Sequence, residues 1–317
     1  MKANSQWLKE KQVKTVEYTF ESATRKSLYS LYAIGDAHIG ALNCAEEELM
    51  SLVGRIAADP NALWIGGGDM LDAVILQDVK RFDISALPNW MVEGDADGVR
   101  ERVGDIIAAQ KRRFLSIVNP IKDKCLGLIE GNHEYAMYKH HNRNVMQEMC
   151  EAMNVPNLTD CAFIRLRFKR LTSVHSGVNT VTVFICHGHG EGRSSGAEPN
   201  RLFKLAADKQ ADIVLTGHSH TFHIHPPIPM LILPHGGRLL PEPIIREKYV
   251  ANWGSYLFTY KRGPSTYASR ANYPVRPMYT VETTIKPHHS VAVSMNDGTK
   301  ERAELNIPVI EMRQLKL

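Results

Sequence analysis

With 317 residues, the chain can bury most of the surface that its unfolded state exposes, so its core needs neither disulfides nor a structural metal. Its 44% apolar and 23% charged residues are ordinary for a soluble enzyme, and no run of 18 apolar residues exists to span a membrane. The net charge of +4 is mildly basic, well short of a nucleic-acid-binding tail, though it suits an anionic substrate.

Ser30 to Ile34 reads as a short apolar strand ending at Gly35-Asp36. Asn43 then begins a helix, with Glu46 three residues on as a capping box. Leu49, Leu52, Val53 and Ile56 form its buried stripe, and Asp59-Pro60 stops it. Ala62 to Ile65 is a second strand, running into Gly66-Gly67-Gly68-Asp69. Ala73 to Gly98 is irregular, with Pro88, Gly94 and Gly98 against one continuous helix. Such a stretch is either functional or a cover for the sheet edge. Val103 to Val118 is amphipathic at helical spacing, and Cys125 to Ile129 is a third strand. Glu134 to Met153 reads as one helix. Phe163 to Phe168 and Thr180 to Ile185 read as paired strands, the second ending at His187. Pro199 to Lys209 is a helix, and Ile213 to Leu215 a strand. Short strands follow at Ile228 to Leu233, Ser255 to Tyr260 and Met278 to Ile285. Strands alternate with helices to about residue 220 and dominate after it, which predicts an α/β protein with two layers of mixed sheet and helices outside.

Five motifs stand at these strand ends: Gly35-Asp36-Ala37-His38, Gly68-Asp69-Met70-Leu71-Asp72, Gly131-Asn132-His133-Glu134, His187-Gly188-His189-Gly190 and Gly217-His218-Ser219-His220. Asp36 and His38, two apart, can leave one strand end and clasp a single ion. Asp69 follows the next strand, where its two oxygens could bridge two ions. Asn132 offers a neutral carbonyl oxygen, and His187, His218 and His220 add nitrogen. Mixed oxygen and nitrogen donors without thiolate suit Mn²⁺, Fe or Zn²⁺ better than Ca²⁺ or Mg²⁺. A lone Asp-x-His is weak, a lone Gly-His-x-His little better, and Gly-Asn-His-Glu after a strand stronger; all five in this order point to a metal-dependent hydrolase.

The set resembles the calcineurin-like metallophosphoesterase superfamily over about residues 30 to 225. That resemblance implies a four-layer αββα sandwich of two mixed β-sheets flanked by helices. It implies that Asp36, His38, Asp69 and His220 hold a first divalent ion. Asp69, Asn132, His187 and His218 would hold a second, with Asp69 bridging. It also pairs His133, read as the general acid for the leaving oxygen, with Asp72. The other reading of Asp72 is a loop-capping carboxylate. Two such ions, Mn²⁺ first and Fe or Zn²⁺ next, can share a water and lower its pKa toward about 7. The expected reaction is attack of a metal-bridging hydroxide on phosphorus, with no protein nucleophile.

His189 and Arg193 are candidate substrate contacts, His189 alternatively a hydrogen-bond donor behind the ligands. Arg201, Arg143, Lys80 and Arg81 are exposed-arginine-or-lysine candidates of the same kind, with an ordinary surface role favoured. His223 and His225 are neighbours of the site, not ligands. The phosphoprotein-phosphatase branch continues its second motif as Gly-Asp-x-x-Asp-Arg-Gly. Here Ala73-Val74 follows Asp72. That favours a phosphodiesterase on nucleotides or nucleic acid. A phosphomonoesterase or protein phosphatase is the alternative, and a non-catalytic protein-binding scaffold a further one. Five scattered cysteines, without a Cys-x-x-Cys pair, fit a reducing cytoplasm, as does a polar Met1 to Phe20 without an apolar signal core. One domain spanning 1–317 is expected, with residues 226–317 as a β-rich extension that completes the sheet or makes a dimer edge.

Overall fold

The computed structural model describes residues 13–22, 25–78, 82–170, 177–189, 196–232, 244–260, 275–294 and 302–317. Two mixed sheets lie face to face. One has five strands in the order β11-β10-β2-β3-β4, formed by β2 (Tyr29–Ile34), β3 (Ala62–Gly66), β4 (Cys125–Leu128), β10 (Tyr279–Ser294) and β11 (Arg302–Lys316). The other has six, in the order β1-β5-β6-β7-β9-β8. Its strands are β1 (Lys14–Ser22), β5 (Cys161–Arg170), β6 (Val178–Cys186), β7 (Ile213–Thr216), β8 (His223–Ile232) and β9 (Ile244–Asn252).

Strand periodicity divides each strand between two cores. Leu31 and Ala33 of β2, with Leu63 and Ile65 of β3, meet Ile164, Leu166, Val183 and Leu215 between the sheets. Tyr32, Ile34 and Trp64 point the other way, into a helical layer. That layer comprises α1 (Glu46–Ala58), α4 (Ile106–Val118), α5 (Asn132–His141) and α6 (Val145–Met153). On the far side, Leu202 and Ala206 of α7 (Ala197–Ala207) pack on Phe184, Val214 and Val250. The result is the expected αββα order. β2, β3 and β4 are mutually parallel, as are β6 and β7. All five run into a motif at their carboxyl ends, so the motif loops gather along one rim.

Several boundaries differ from the pattern read in the sequence, each for a local reason. The first helix starts at Glu46 without a side-chain cap, because Asn43 Nδ2 donates to the carbonyl of Phe258 at 2.7 Å. The amphipathic stretch through Val118 is two helices, α3 (Ala96–Gly104) and α4, since Asp105 caps Ala108 and restarts the ladder. Glu134 to Met153 is likewise broken, into α5 and α6, by Asn142 in the left-handed region at φ 52°. Residues 255–260 form an irregular strap with a single bridge, Cys44 to Leu257, instead of a strand. The 73–98 stretch holds a 3₁₀ turn, Ile84–Ala86, and α2 (Asn89–Val92). It is pinned to the helical layer where Trp90 Nε1 donates to Glu46 Oε1 at 2.9 Å. Lys80 and Arg81 lie outside the described residues. β1, β9 and β11 were not foreseen; β10 and β11 extend the first sheet, so the chain past residue 226 contributes to both.

Phe168 is fully buried where Phe20 of β1 and Tyr29 of β2 meet it, at ring separations of 5.6 and 4.8 Å. This cluster ties the two sheets together at the end away from the motif rim. Phe168→Ala is expected to cost about 3–5 kcal/mol. The check is a lowered midpoint in chemical denaturation with an unchanged m value.

Candidate metal centre

Seven side chains from five loops converge at the rim. His38 Nε2 and His220 Nε2 stand 3.1 Å apart, and His220 Nε2 is 3.3 Å from Asp36 Oδ1. On the other side of Asp69, His187 Nε2 lies 3.2 Å from Asp69 Oδ2 and 3.2 Å from Asn132 Oδ1. His218 Nδ1 is 2.8 Å from that same Asn132 oxygen. His38 Nε2 and His133 Nε2 are each 4.0 Å from Asp69 Oδ2. Three overlapping sets bring their ligand atoms within 4.8 Å of one another: Asp36, His38 and His220; His38, Asp69 and His133; Asp69, His187 and His218. Every residue expected as a ligand is thus in the cluster.

The backbone is bent hard to achieve this. Asp36, His38, Asp69, His218 and His220 all adopt positive φ, between 48° and 68°. Asp and His tolerate that region better than most residues, yet each instance costs on the order of 1–3 kcal/mol. Five of the seven candidate ligand positions carry this strain, a pattern that clusters at functional sites.

Buried partners hold the carboxylates. Asp36 is fully buried; its Oδ2 accepts the indole Nε1–H of Trp253 at 2.7 Å and the main-chain N–H of His218 at 3.0 Å. The Trp253 ring itself lies under three motif glycines. A Cβ would meet the indole at 2.7 Å from Gly35, at 2.5 Å from Gly67 and closer still from Gly217. Asp69 Oδ1 accepts the His133 N–H at 2.9 Å. Glu134, wholly buried, accepts N–H groups of Asp69 at 2.9 Å, Leu71 at 3.0 Å and Gly131 at 3.1 Å, clamping the second motif to the third. Under the fifth motif, Asn252 Nδ2 donates to Glu198 Oε1 and Ser219 Oγ, both at 2.8 Å.

Burial and neighbouring charge shift the titratable groups of the pocket. Burial alone would raise Asp36 and Asp69, but the surrounding imidazoles outweigh it and both carboxyls sit below their ordinary range. Burial likewise opposes a charged His187. The bond to Asp69 and the charge of Asp36 win, lifting it to about 10. His38 and His218 go down, chiefly through burial. Burial and the Asp69 charge push Glu134 up to about 7. Asp36 Oδ1, meanwhile, is buried without a hydrogen-bond partner. An acceptor left bare beside converging imidazole nitrogens fits a cation, and the oxygen-and-nitrogen donor set fits a divalent one.

The expected pairing of His133 with Asp72 takes an unexpected form. His133 Nδ1 meets the main-chain carbonyl of Asp72, whereas the Asp72 carboxylate lies 3.8 Å from His38 Nδ1. His187 Nδ1 is fixed in the same manner, 2.8 Å from the Gly67 carbonyl. Both carbonyls accept from Nδ1–H, which fixes each ring and leaves Nε2 facing the pocket. His189 is exposed at the end of its motif. Arg193 lies outside the described residues. Arg201 is spoken for by Glu198 at 2.6 Å, and Arg143 by Asp105 and Glu148. His223 and His225 lie on β8, outside the three ligand sets. The reading of the sequence missed Trp253, Asn252 and the role of Glu134. An apolar run ending in Asn252-Trp253-Gly254 repeats the strand-then-glycine pattern of the five motifs, and was the available signal.

A model of the family described as calcineurin-like phosphoesterase matches residues 29–222, more than half the chain. No curated protein matches it by sequence. Among solved structures, a conserved uncharacterized protein from Streptococcus pneumoniae, a predicted phosphoesterase, is similar at 12% identity and a TM-score of 0.29. That match covers 88% of this chain and 99% of the other. Vps29 complexed with Zn²⁺ from Entamoeba histolytica is similar at 11% identity, covering 87% and 98%, with a TM-score of 0.33. The NAD nucleotidase of Haemophilus influenzae is similar at 11% identity, covering 92% and 54%, with a TM-score of 0.31. Likenesses this distant say nothing of this chain's activity.

Trp253→Phe keeps a ring under the glycines and removes the N–H to Asp36. It is expected to weaken divalent-ion binding about 10- to 100-fold, the usual effect of losing a ligand's orienting partner. Titration of Mn²⁺ by calorimetry checks this. Unchanged affinity would reduce Trp253 to packing.

Proposed function

The chain belongs to the calcineurin-like phosphoesterase family, and from that premise we propose that it is a phosphoester hydrolase that works with two divalent cations. One observation carries the reading. Two ligand sets, Asp36-His38-His220 and Asp69-His187-His218, lie side by side, with Asn132 completing the second and Asp69 also in reach of His38. We assign the first cation to Asp36, His38, Asp69 and His220, and the second to Asp69, Asn132, His187 and His218. Their nitrogen and oxygen donors suit Mn²⁺ first, with Fe or Zn²⁺ as alternatives. When bound, such ions supply an activated water and neutralise charge on a phosphoryl group.

The chain's own groups do the rest. His133, with Nδ1 against the Asp72 carbonyl, presents Nε2 to the pocket and holds the proton that the leaving oxygen takes up. Asp72 acts through that carbonyl, while its carboxylate faces His38. His189, exposed at the lip, and Arg193 are proposed to touch the substrate phosphate.

A phosphodiesterase acting on nucleotides or nucleic acid is the favoured form. What supports it is the second motif. Ala73 stands where a phosphoprotein phosphatase would carry arginine, and its N–H goes to Gln110 Oε1 at 3.0 Å. The net charge of +4 agrees with an anionic substrate. We place the protein in the cytoplasm on its five free cysteines, three of them buried. Among the described residues, no helix is long and apolar enough to cross a membrane.

The purified protein is expected to contain divalent metal and, with Mn²⁺, to hydrolyse bis-p-nitrophenyl phosphate; a chelator should abolish turnover. His133→Ala should keep its metal and lose about 10²- to 10⁴-fold in kcat on esters with poor leaving groups. Metal loss in that variant would make His133 a ligand or a structural residue. A metal-free, inert wild-type protein would favour the scaffold reading.

A further inference from the structure

Beside His220 the surface falls into a shallow, open hollow of about 50 Å³. Its wall includes His220, Ser255, Leu257, Phe258, Arg276 and Met278. We propose that this hollow is the subsite for a nucleobase of a phosphodiester substrate, with Phe258 as its apolar floor and Arg276 at its rim. The proposal rests on the phosphodiesterase reading and says which side of the centre takes the nucleoside.

Position comes first. His220 belongs both to the metal-ligand cluster and to the wall of the hollow. A group attached to a phosphoryl centre at the metal site has this space within one side chain of it.

Rigidity is the second point. The strap that forms the floor is bonded residue by residue to the loop carrying the first motif. Tyr256 N donates to the Asp36 carbonyl at 3.0 Å, and Ala45 N to the Tyr256 carbonyl at 2.7 Å. Phe258 is held from both sides by Asn43: its N–H donates to the Asn43 carbonyl at 2.9 Å, and Asn43 Nδ2 returns a bond of 2.7 Å to the Phe258 carbonyl. That is why Asn43 does not cap its helix. Preorganised walls lower the cost of ordering a ligand.

Chemistry is the third. Leu257, Phe258 and Met278 offer an apolar surface with one aromatic ring, and the hydroxyl-bearing Ser255 and Thr259 share the wall. Sites of this make-up, mostly apolar with a few polar groups, take flat organic moieties. Arg276 Nη1 donates to the carbonyl of Ser219, the residue between His218 and His220. A guanidinium is thereby held at the boundary between hollow and metal centre, where a phosphodiester's charge meets its base. The hollow is open at its mouth, so it suits one face of a base stacked on the floor.

Two esters that share a p-nitrophenolate leaving group decide the matter: thymidine 5′-(p-nitrophenyl phosphate) and methyl p-nitrophenyl phosphate. In the Mn²⁺-loaded protein, Phe258→Ala should lower kcat/KM for the thymidine ester roughly 10-fold more than for the methyl ester, the usual scale of a lost base–aromatic stack. Phe258→Leu, which keeps most of the apolar volume, should show the same selective loss and guards against a folding defect. Arg276→Gln should raise KM for the thymidine ester above its effect on the methyl ester. Equal losses on both esters, or no loss, would overturn the subsite. Failure of the phosphodiesterase reading shows separately, as a wild-type protein inert on both esters. The binding arm then decides. Weaker binding of thymidine 5′-monophosphate, but not of inorganic phosphate, in Phe258→Leu supports the subsite; equal binding by both proteins overturns it.

Discussion

The site depends on the indole of Trp253. Five strand ends approach one rim from two sheets, and loops arriving from opposite sides need something to pack against. The fully buried ring supplies a flat surface on which Gly35, Gly67 and Gly217 all rest, and its Nε1–H holds Asp36 by a 2.7 Å bond. A buried indole N–H needs an acceptor, and a buried carboxylate oxygen needs a donor; each satisfies the other. The glycines are required by this contact, because any side chain there would have to occupy the ring's own space. The first, second and fifth motifs are therefore fixed to one another through a residue that belongs to none of them.

A second set of contacts links the motifs by charge. Glu134 gathers three main-chain N–H groups from the second and third motifs, and Glu198 with Asn252 and Arg201 braces the fifth from below. These carboxylates are buried but well supplied with donors, the condition under which a buried acid is tolerable. Asp36 and Asp69 differ. They face imidazoles across the pocket, and Asp36 Oδ1 has no hydrogen-bond donor. The supporting acids are satisfied and one pocket acid is not, which separates scaffold from site. The left-handed backbone at five ligand positions has the same meaning: neighbouring packing holds the strain.

What was legible in the sequence follows from range. Asp36, His38, Asp69, Asn132, His187, His218 and His220 were readable because each belongs to a short glycine-containing motif at the end of an apolar run. That is a local pattern, and all seven meet in space. The αββα order was readable from alternating periodicities. Helix breaks at Asp105 and Asn142 were not, since hydrophobic spacing continues across both and the interruption lies in main-chain geometry. Asn43 failed as a cap because a distant carbonyl, that of Phe258, competed for its side chain. Trp253 was missed for the same reason: its partners lie 36 to 218 residues away in sequence. β1 was passed over although Val16, Tyr18 and Phe20 alternate with polar residues, because its pairing with β5 is parallel and remote in sequence.

The division of the proposed ligands between the sheets has a thermodynamic consequence. The five-stranded sheet delivers Asp36, His38, Asp69 and Asn132; the six-stranded sheet delivers His187, His218 and His220. Neither sheet holds a complete set, so the pocket exists only while the two are packed face to face. Any cation that binds across it binds the packed state and not the separated one, and so adds its binding free energy to the stability of the sandwich. The reverse also holds: loss of packing between the sheets, as at Phe168 or Leu166, weakens cation binding through the same linkage. The chemistry at the rim and the core between the sheets are therefore one linked equilibrium, with Trp253, buried between the sheets and bonded to Asp36, at the point where they join.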